Sequence, residues 1–449
     1  AVYVNRVINP GDDMTFEKES FHSMVEKICA DADSAYNRVD SWNGGQYFGR
    51  VDKGACLGLK AMARWLAATP LWNGGNLPND NRIFKSEYGY DKKRWELARD
   101  AAKAVLECTK EDGSLRYKLY ETYTKDDFRD VDGKTDTNNK KVQQRLWQMM
   151  YDMNAIQDEW VWFVTRDKDP GWAGDVFPPS QGGHARQRPL QEQVDEYEYI
   201  APDGYGYPIY CNHAEKDGYD DGNPYEGIQR DPRLYRDIRY HGSWYGGNQL
   251  NTAEGNDAVG GSYLDQASHT GYYLRKFYKD GWDRGHGGHT INGPAIWRLP
   301  EFIYIYCEAV NNLTGPNDEI YNLINKVRDR SFMAPMPPAA KSDKELMEEY
   351  IQRERRVELF YENNRYWVAR LYLQPGDYNT TSNVKASEWP YPKDQRQSHG
   401  MKPVEDPNGK YEINGVRYTE KGSSNPGGNA FLETLNDTPV SARTVLDWY

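Results

Sequence analysis

The sequence predicts an all-α protein built of tetratricopeptide-like helical hairpins, with a long irregular loop region that carries the binding surface. Three observations predict it. Apolar residues recur at the helical period of 3.6 in the stretches that begin near Phe21 and near Glu301. Between residues 169 and 292 that period fades, and Gly, Pro, Asp, Asn and Tyr crowd together. At Gly315-Pro316 two helical stretches of similar length meet in a tight turn, which makes an αα-hairpin, although the consensus letters of the tetratricopeptide repeat are missing.

Each element follows in order. From Phe21, the residues Met24, Val25, Ile28, Ala32 and Ala35 line one face of an amphipathic helix. A second helix fits Asp52 to Ala68, with Ala55, Leu59, Met62, Ala63 and Leu66 on one face and Pro70 stopping it. Trp95, Ala98, Ala102, Val105 and Leu106 mark a third, and Leu146, Met149, Met150 and Met153 a fourth. The stretches GWAGDVFPPSQGGHARQRP and KDGYDDGNPYEGIQRDPRLY then read as long loops with short strands or helices. A loop region of that length is functional or disordered, and its aromatic content argues against disorder. Regular helices return at Glu301: Phe302, Tyr306, Ala309, Val310 and Leu313 line one, and Ile320, Leu323, Ile324 and Val327 the next. Ser342 with Glu345 forms a capping box opening a third, with Leu346, Met347, Tyr350, Ile351 and Val357 inward and the helix continuing to residue 362. The chain thus divides into a helical hairpin region at 1–168, a loop-rich binding region at 169–298, a second hairpin region at 299–373 and an irregular segment at 374–449.

Composition excludes several functions. A net charge of −12 argues against a general nucleic-acid binder, because phosphate contacts need clustered Lys and Arg. The same charge disfavours strongly anionic polysaccharides, with the basic HARQRP loop as a local counterweight. No apolar run is long enough to cross a bilayer. The cysteines Cys29, Cys56, Cys108, Cys211 and Cys307 form no C-x-x-C pair and read as buried free thiols. In a chain this polar, 14 Trp, 12 Phe and 35 Tyr exceed what an apolar core needs.

The densest charge lies in RERRVELFYENNRYWVARL, residues 353–371. Arg353, Glu354, Arg355, Arg356 and Glu358 point in several directions around a helix, so they cannot form one charged face. Glu354 and Glu358 lie one turn apart and repel unless an arginine from a neighbouring segment, Arg365 or Arg370, sits between them. This favours a buried lattice of arginines and carboxylates joining two helices over a catalytic carboxylate pair.

The segments EFIYIYCEAVNNLTGPNDEIYNLINKVRDRS and ERRVELFYENNRYWVARLY resemble the SusD/RagB family, whose patterns are E-A-x-N-x-x-G, I-N-x-V-R-x-R and E-R-R-x-E-L-x-x-E-x-x-R-x-W. Glu308, Ala309, Asn311, Ile324, Asn325, Val327, Arg328, Arg330, Glu354, Arg355, Arg356, Glu358, Leu359, Glu362, Arg365 and Trp367 fall on them. GRVDKGACLGLKAMARWLAATPLWN, NPYEGIQRDPRLYRDIRYHGSWY and TGYYLRKF extend the likeness over most of residues 15–373. The family's N-terminal L-R-A-x-x-Y helix and its closing L-P-I-P and N-P-G-Y are not found, so the resemblance implies that an N-terminal third and a C-terminal tail lie outside this chain. It also implies a non-catalytic lipoprotein of the outer-membrane surface that captures oligosaccharides, or in some members peptides, for a SusC-like TonB-dependent transporter. No cofactor is implied, and the membrane is reached only through a lipid anchor outside the chain.

A sugar ring offers an apolar face and a rim of hydroxyls, so its binder needs aromatic platforms edged with polar groups. GSWYGGNQLN supplies Trp244 and Tyr245 beside Asn248 and Gln249; KDGWDRGHGGH supplies Trp282 flanked by Asp283 and Arg284; DPGWAGD supplies Trp172 with Asp175. The rival enzyme reading is a glycoside hydrolase, with DEW at 158–160 among its candidate carboxylates, yet nothing sets one pair apart. His286 and His289 have ligand-like spacing without a third ligand. Asp217, Asp220, Asp221 and Asn223 could hold calcium through oxygens but miss the EF-hand order.

Overall fold

The structure, a computed structural model, describes residues 2–44, 47–75, 84–121, 157–164, 172–209, 211, 214, 217, 230–245, 248–252, 255–258, 266–277 and 295–372, together with short strands between 399 and 434. Helices α1 (Phe21–Tyr36), α2 (Lys53–Ala68) and α3 (Lys92–Leu106) pack in sequence, each opened by a side-chain cap. Ser20 accepts from the Ser23 N–H, Asp52 from that of Ala55 and Asp91 from that of Lys93, which satisfies donors that a helix start leaves unpaired. α2 buries Ala55, Cys56, Ala61, Ala63, Trp65, Ala67 and Ala68, whereas Leu59, expected on the inner face, is exposed. At Gly54 the helix meets Tyr117 so closely that a Cβ would lie 1.8 Å from its hydroxyl.

Strand β1 (Trp160–Phe163) leads into the loop-rich part, where the described elements are short: α4 (Trp172–Val176), α5 (Gln191–Val194), β2 (Tyr199–Ile200), β3 (Gly206–Tyr207), α6 (Pro232–Asp237), β4 (Ile238–Arg239), β5 (Trp244–Tyr245), β6 (Asn248–Gln249) and β7 (Tyr273–Leu274). Their pairings are antiparallel couples, β2 with β3 and β5 with β6 between near neighbours and β4 with β7 across the region. Strand β8 (Ala295–Arg298) returns antiparallel to β1 and runs directly into α7 (Leu299–Thr314).

α7 is the axis of the molecule. Every residue from Leu299 to Asn311 is buried, as expected of a helix that packs α3 on one side and α8 (Asp318–Arg330) and α9 (Lys344–Glu358) on others. The main core joins Trp65, Trp95, Ala98 and Val105 to Phe302, Ile305, Ala309, Ile324, Met347 and Ile351. Gly315, at φ 84°, ends α7 where the sequence places its turn. Asp343, not Ser342, caps α9, accepting from the Glu345 and Leu346 N–H groups. α9 also stops at Glu358 rather than continuing to residue 362: Tyr361 and Asn363 take left-handed φ of 63° and 61°, and the chain re-enters a helix only at α10 (Arg365–Leu371). All five cysteines are unpaired; Cys211 is half-buried and the others buried. The helix expected around Leu146–Met153 lies outside the described residues.

Beyond residue 398, β10 (Val404–Glu405), β11 (Lys410–Ile413) and β12 (Val416–Glu420) form one small sheet and β9 (His399–Lys402) pairs with β13 (Phe431–Thr434).

Candidate functional site

The charged stretch at 353–362 is the floor of the loop-rich region. Glu354 and Glu358 are bridged by an arginine, but it is Arg233 of α6 rather than Arg365 or Arg370. Its Nη1 lies 2.9 Å from Glu354 Oε2 and 3.5 Å from Glu358 Oε2, while its Nε and Nη2 donate to Asp231. The long-range partner could not be read from local spacing, because it is supplied from 121 residues away. The side chain of Arg370 lies outside the described residues; Arg365 sits near Arg356 and Glu196, and its pKa falls to about 9 through burial and the Arg356 charge.

The network spreads through the centre. Arg328 links Glu354 to Glu198 at 2.5 and 2.6 Å. Glu358 meets Arg233, Arg236, Arg298 and Arg330, all essentially without solvent contact. Burial alone disfavours its charge, yet Arg330, Arg236, Arg298 and Arg233 outweigh that and hold its carboxyl well below the usual range. Arg298 also grips Glu362 at 2.7 and 2.8 Å, and Lys276 reaches the same carboxylate at 2.8 Å. Glu159, the buried acid of the DEW stretch, receives Arg298, Arg330 and the Tyr120 N–H, and Asp158 pairs with Lys118 at 3.4 Å. These carboxylates serve as counter-ions, so the lattice reading of the stretch holds.

On this floor stand the candidate ligand elements. α6 and β4 carry the chain upward to a tight hairpin in which Trp244 pairs with Gln249 and Tyr245 with Asn248. Four residues that composition singles out are thereby brought together. The base of the hairpin is fixed by backbone bonds from Gly242 to Leu250 (2.8 Å) and Leu250 to Ser243 (2.9 Å), and by Ser243 Oγ, which donates to the Tyr240 carbonyl at 2.7 Å. His241, buried beside it, accepts the Thr252 N–H through Nδ1; burial pushes its pKa down to about 4, so it is a neutral structural acceptor.

Trp172 opens α4, one turn before Asp175. The segment that follows α4 folds back, with the His184 N–H on the Gly174 carbonyl and the Gln187 N–H on that of Asp175. Ala185 packs with Leu250 and Tyr273, which ties this segment to the base of the hairpin. Arg239 adds a second tie, donating to Gln181 at 2.6 Å and lying over the Phe177 ring. Two contacts here carry no local sequence signal: Arg186 with Asp175 at 3.2 Å, and the Tyr361 hydroxyl donating to Gln187. Trp282, Asp283 and Arg284 lie outside the described residues.

Of the calcium candidates, Asp217 accepts the Tyr199 hydroxyl at 2.9 Å; Asp220, Asp221 and Asn223 fall outside the described residues, as do His286 and His289. Among the described residues no three His, Cys, Asp or Glu side chains gather as a metal site, and no helix is long and apolar enough to cross a membrane.

Comparison with known proteins adds an independent line. The model of the SusD family matches residues 145–411, more than half of the chain. A SusD-like protein from Bacteroides fragilis superposes with a TM-score of 0.64 at 18% identity, covering 99% of this chain and 71% of that one. A SusD-like carbohydrate binding protein from the same organism gives 0.61 at 18% identity, over 94% and 70%. At that identity the likeness shows the fold, helical with few strands. No curated protein matches the sequence.

Proposed function

This chain belongs to the SusD family, and from that premise we propose that it captures oligosaccharides or polysaccharide at the outer-membrane surface, without cleaving them, and delivers them to a SusC-like TonB-dependent transporter. The observation that carries the binding reading is the β5–β6 hairpin, which sets Trp244 across from Gln249 and Tyr245 across from Asn248 on a rigid base. Aromatic and amide residue types paired in one hairpin suit a ring that is apolar on its face and hydroxylated at its rim. Trp172, Trp282, Asp283 and Arg284 complete the proposed contact set, and the four-region division of the chain places all of these residues between 169 and 298.

The non-catalytic part of the reading draws support from the lattice. A glycosidase needs one carboxyl kept protonated near a second, both facing the substrate. Glu159 and Glu358 are instead sunk beneath the loops and matched by arginines. The alternatives are a peptide-binding member of the same family and a glycoside hydrolase. Affinity electrophoresis against neutral and acidic polysaccharides, with reducing-end analysis of the same samples, and chromatography on immobilised peptides separate the three. Retardation without new reducing ends supports capture, retardation with cleavage supports the hydrolase, and retention by peptide columns alone supports the peptide reading.

A further inference from the structure

We propose that Asp175, Arg186, Gln187 and Tyr361 form a subsite for an uncharged sugar ring, adjoining Trp172 at the start of α4. The inference rests on the capture reading and names the ligand class at one part of its surface. Arg186 and Gln187 are exposed on the loop after α4, and Asp175 is one-third exposed. Tyr361 arrives from the scaffold side: its ring is anchored against Phe277 and Phe360, and its hydroxyl reaches out to the Gln187 side chain. Four groups able to donate to or accept from sugar hydroxyls therefore converge where two separate segments meet.

The backbone supports a positioned site rather than incidental packing. Ala185, next to Arg186, has φ 40°, and Tyr361 has φ 63°. Both lie in the left-handed region, which glycine would occupy at less cost, and such conformations concentrate at ligand clamps. The Tyr361 end of the contact, and the chain two residues before Gln187, thus adopt backbone that local preference alone would not choose.

Charge bookkeeping selects the ligand class. Among the four residues Arg186 is met by Asp175 at 3.2 Å, so their formal charges cancel. The array that remains is polar and charge-balanced. A neutral hexopyranose can exchange hydrogen bonds with it, whereas a uronate would meet the Asp175 carboxylate.

The test is affinity electrophoresis of the whole chain in gels containing soluble starch, mixed-linkage β-glucan, galactomannan or polygalacturonate. The wild type is expected to be retarded by at least one neutral polysaccharide. Arg186→Ala, Gln187→Ala and Tyr361→Phe should each weaken that retention by about three- to tenfold, the range set by losing one hydrogen bond, with unchanged unfolding temperatures. Wild-type retention in all three variants, or strongest retention by polygalacturonate, overturns the subsite. If Trp244→Ala abolishes retention while these three do not, capture stands and this subsite falls. Retardation by none of the gels overturns glycan capture itself, and the subsite with it.

Discussion

Arg233 Nη1 and Nη2 donate to Glu354 Oε2 and Oε1 at 2.9 Å each, a bidentate lock between α6 in the loop-rich region and α9 in the helical scaffold. With Asp231 on its other edge, this guanidinium is fully buried and doubly matched. Loops that have little periodic core of their own are thus held to the helices by charge pairs that exclude water.

Glu358→Gln removes the negative centre shared by Arg233, Arg236, Arg298 and Arg330 while keeping its shape. The expected loss is about 3–5 kcal/mol, because buried charges are left uncompensated. Urea unfolding followed by circular dichroism measures it, and a loss below 1 kcal/mol would show that the lattice is not a stabilising unit.

Glu301 and Glu348 form a second cluster, with Glu308, around one guanidinium, that of Arg355. Burial lifts Glu301 to about 7, with Arg355 offsetting only part, and burial together with the Glu308 charge lifts Glu348 to about 7. Both folded values exceed the unfolded value of 4.5, so this stability is complete below pH 4.5 and is lost as pH rises through 7. His241, held down to about 4, has the opposite sign, since its stability is lost as pH falls below the ordinary histidine range. Comparison with the Glu301→Gln/Glu348→Gln double variant isolates the glutamates: relative to wild type, the variant should gain up to about 3 kcal/mol per glutamate between pH 4.5 and 7.5. A constant difference across that window would refute the raised pair.

Gly54→Ala places a methyl group into the Tyr117 hydroxyl, 1.8 Å away before relaxation. Overpacking there should cost about 1–3 kcal/mol. Gly113, at φ 81° with nothing near its Cβ position, gives a surface comparison in which only backbone strain acts. Equal unfolding midpoints for Gly54→Ala and wild type would contradict the close α2–Tyr117 packing.

Trp172→Ala, Trp244→Ala and Trp282→Ala test the aromatic platforms. Loss of one stacking ring should weaken polysaccharide retention by about tenfold, the scale of an aromatic contact together with its buried area. Affinity electrophoresis reads it directly, and unchanged retention in all three would remove these tryptophans from the ligand surface.

The sequence by itself determined the helices and the nature of the charged stretch. The period of apolar residues places α1, α2, α3, α7 and α8, because the spacing of the residues each helix buries is a local property of the chain. Alternating signs around α9 likewise announce that its charges need partners. Which partners they find, only the tertiary structure decided: Arg233 displaced the nearer Arg365 and Arg370, and Asp343 displaced Ser342 as the cap. The turn at Tyr361 was equally hidden, since tyrosine does not favour left-handed backbone, whereas Asn363 is of a type that often ends helices and was a signal left unused. The same holds for the candidate site. Trp244, Tyr245, Asn248 and Gln249 were legible as near neighbours along the chain, though not the hairpin that pairs them, whereas Asp175, Arg186, Gln187 and Tyr361 converge from separate segments. Contacts that cross between segments depend on how the helices bring distant loops together, and that geometry has no period in the chain.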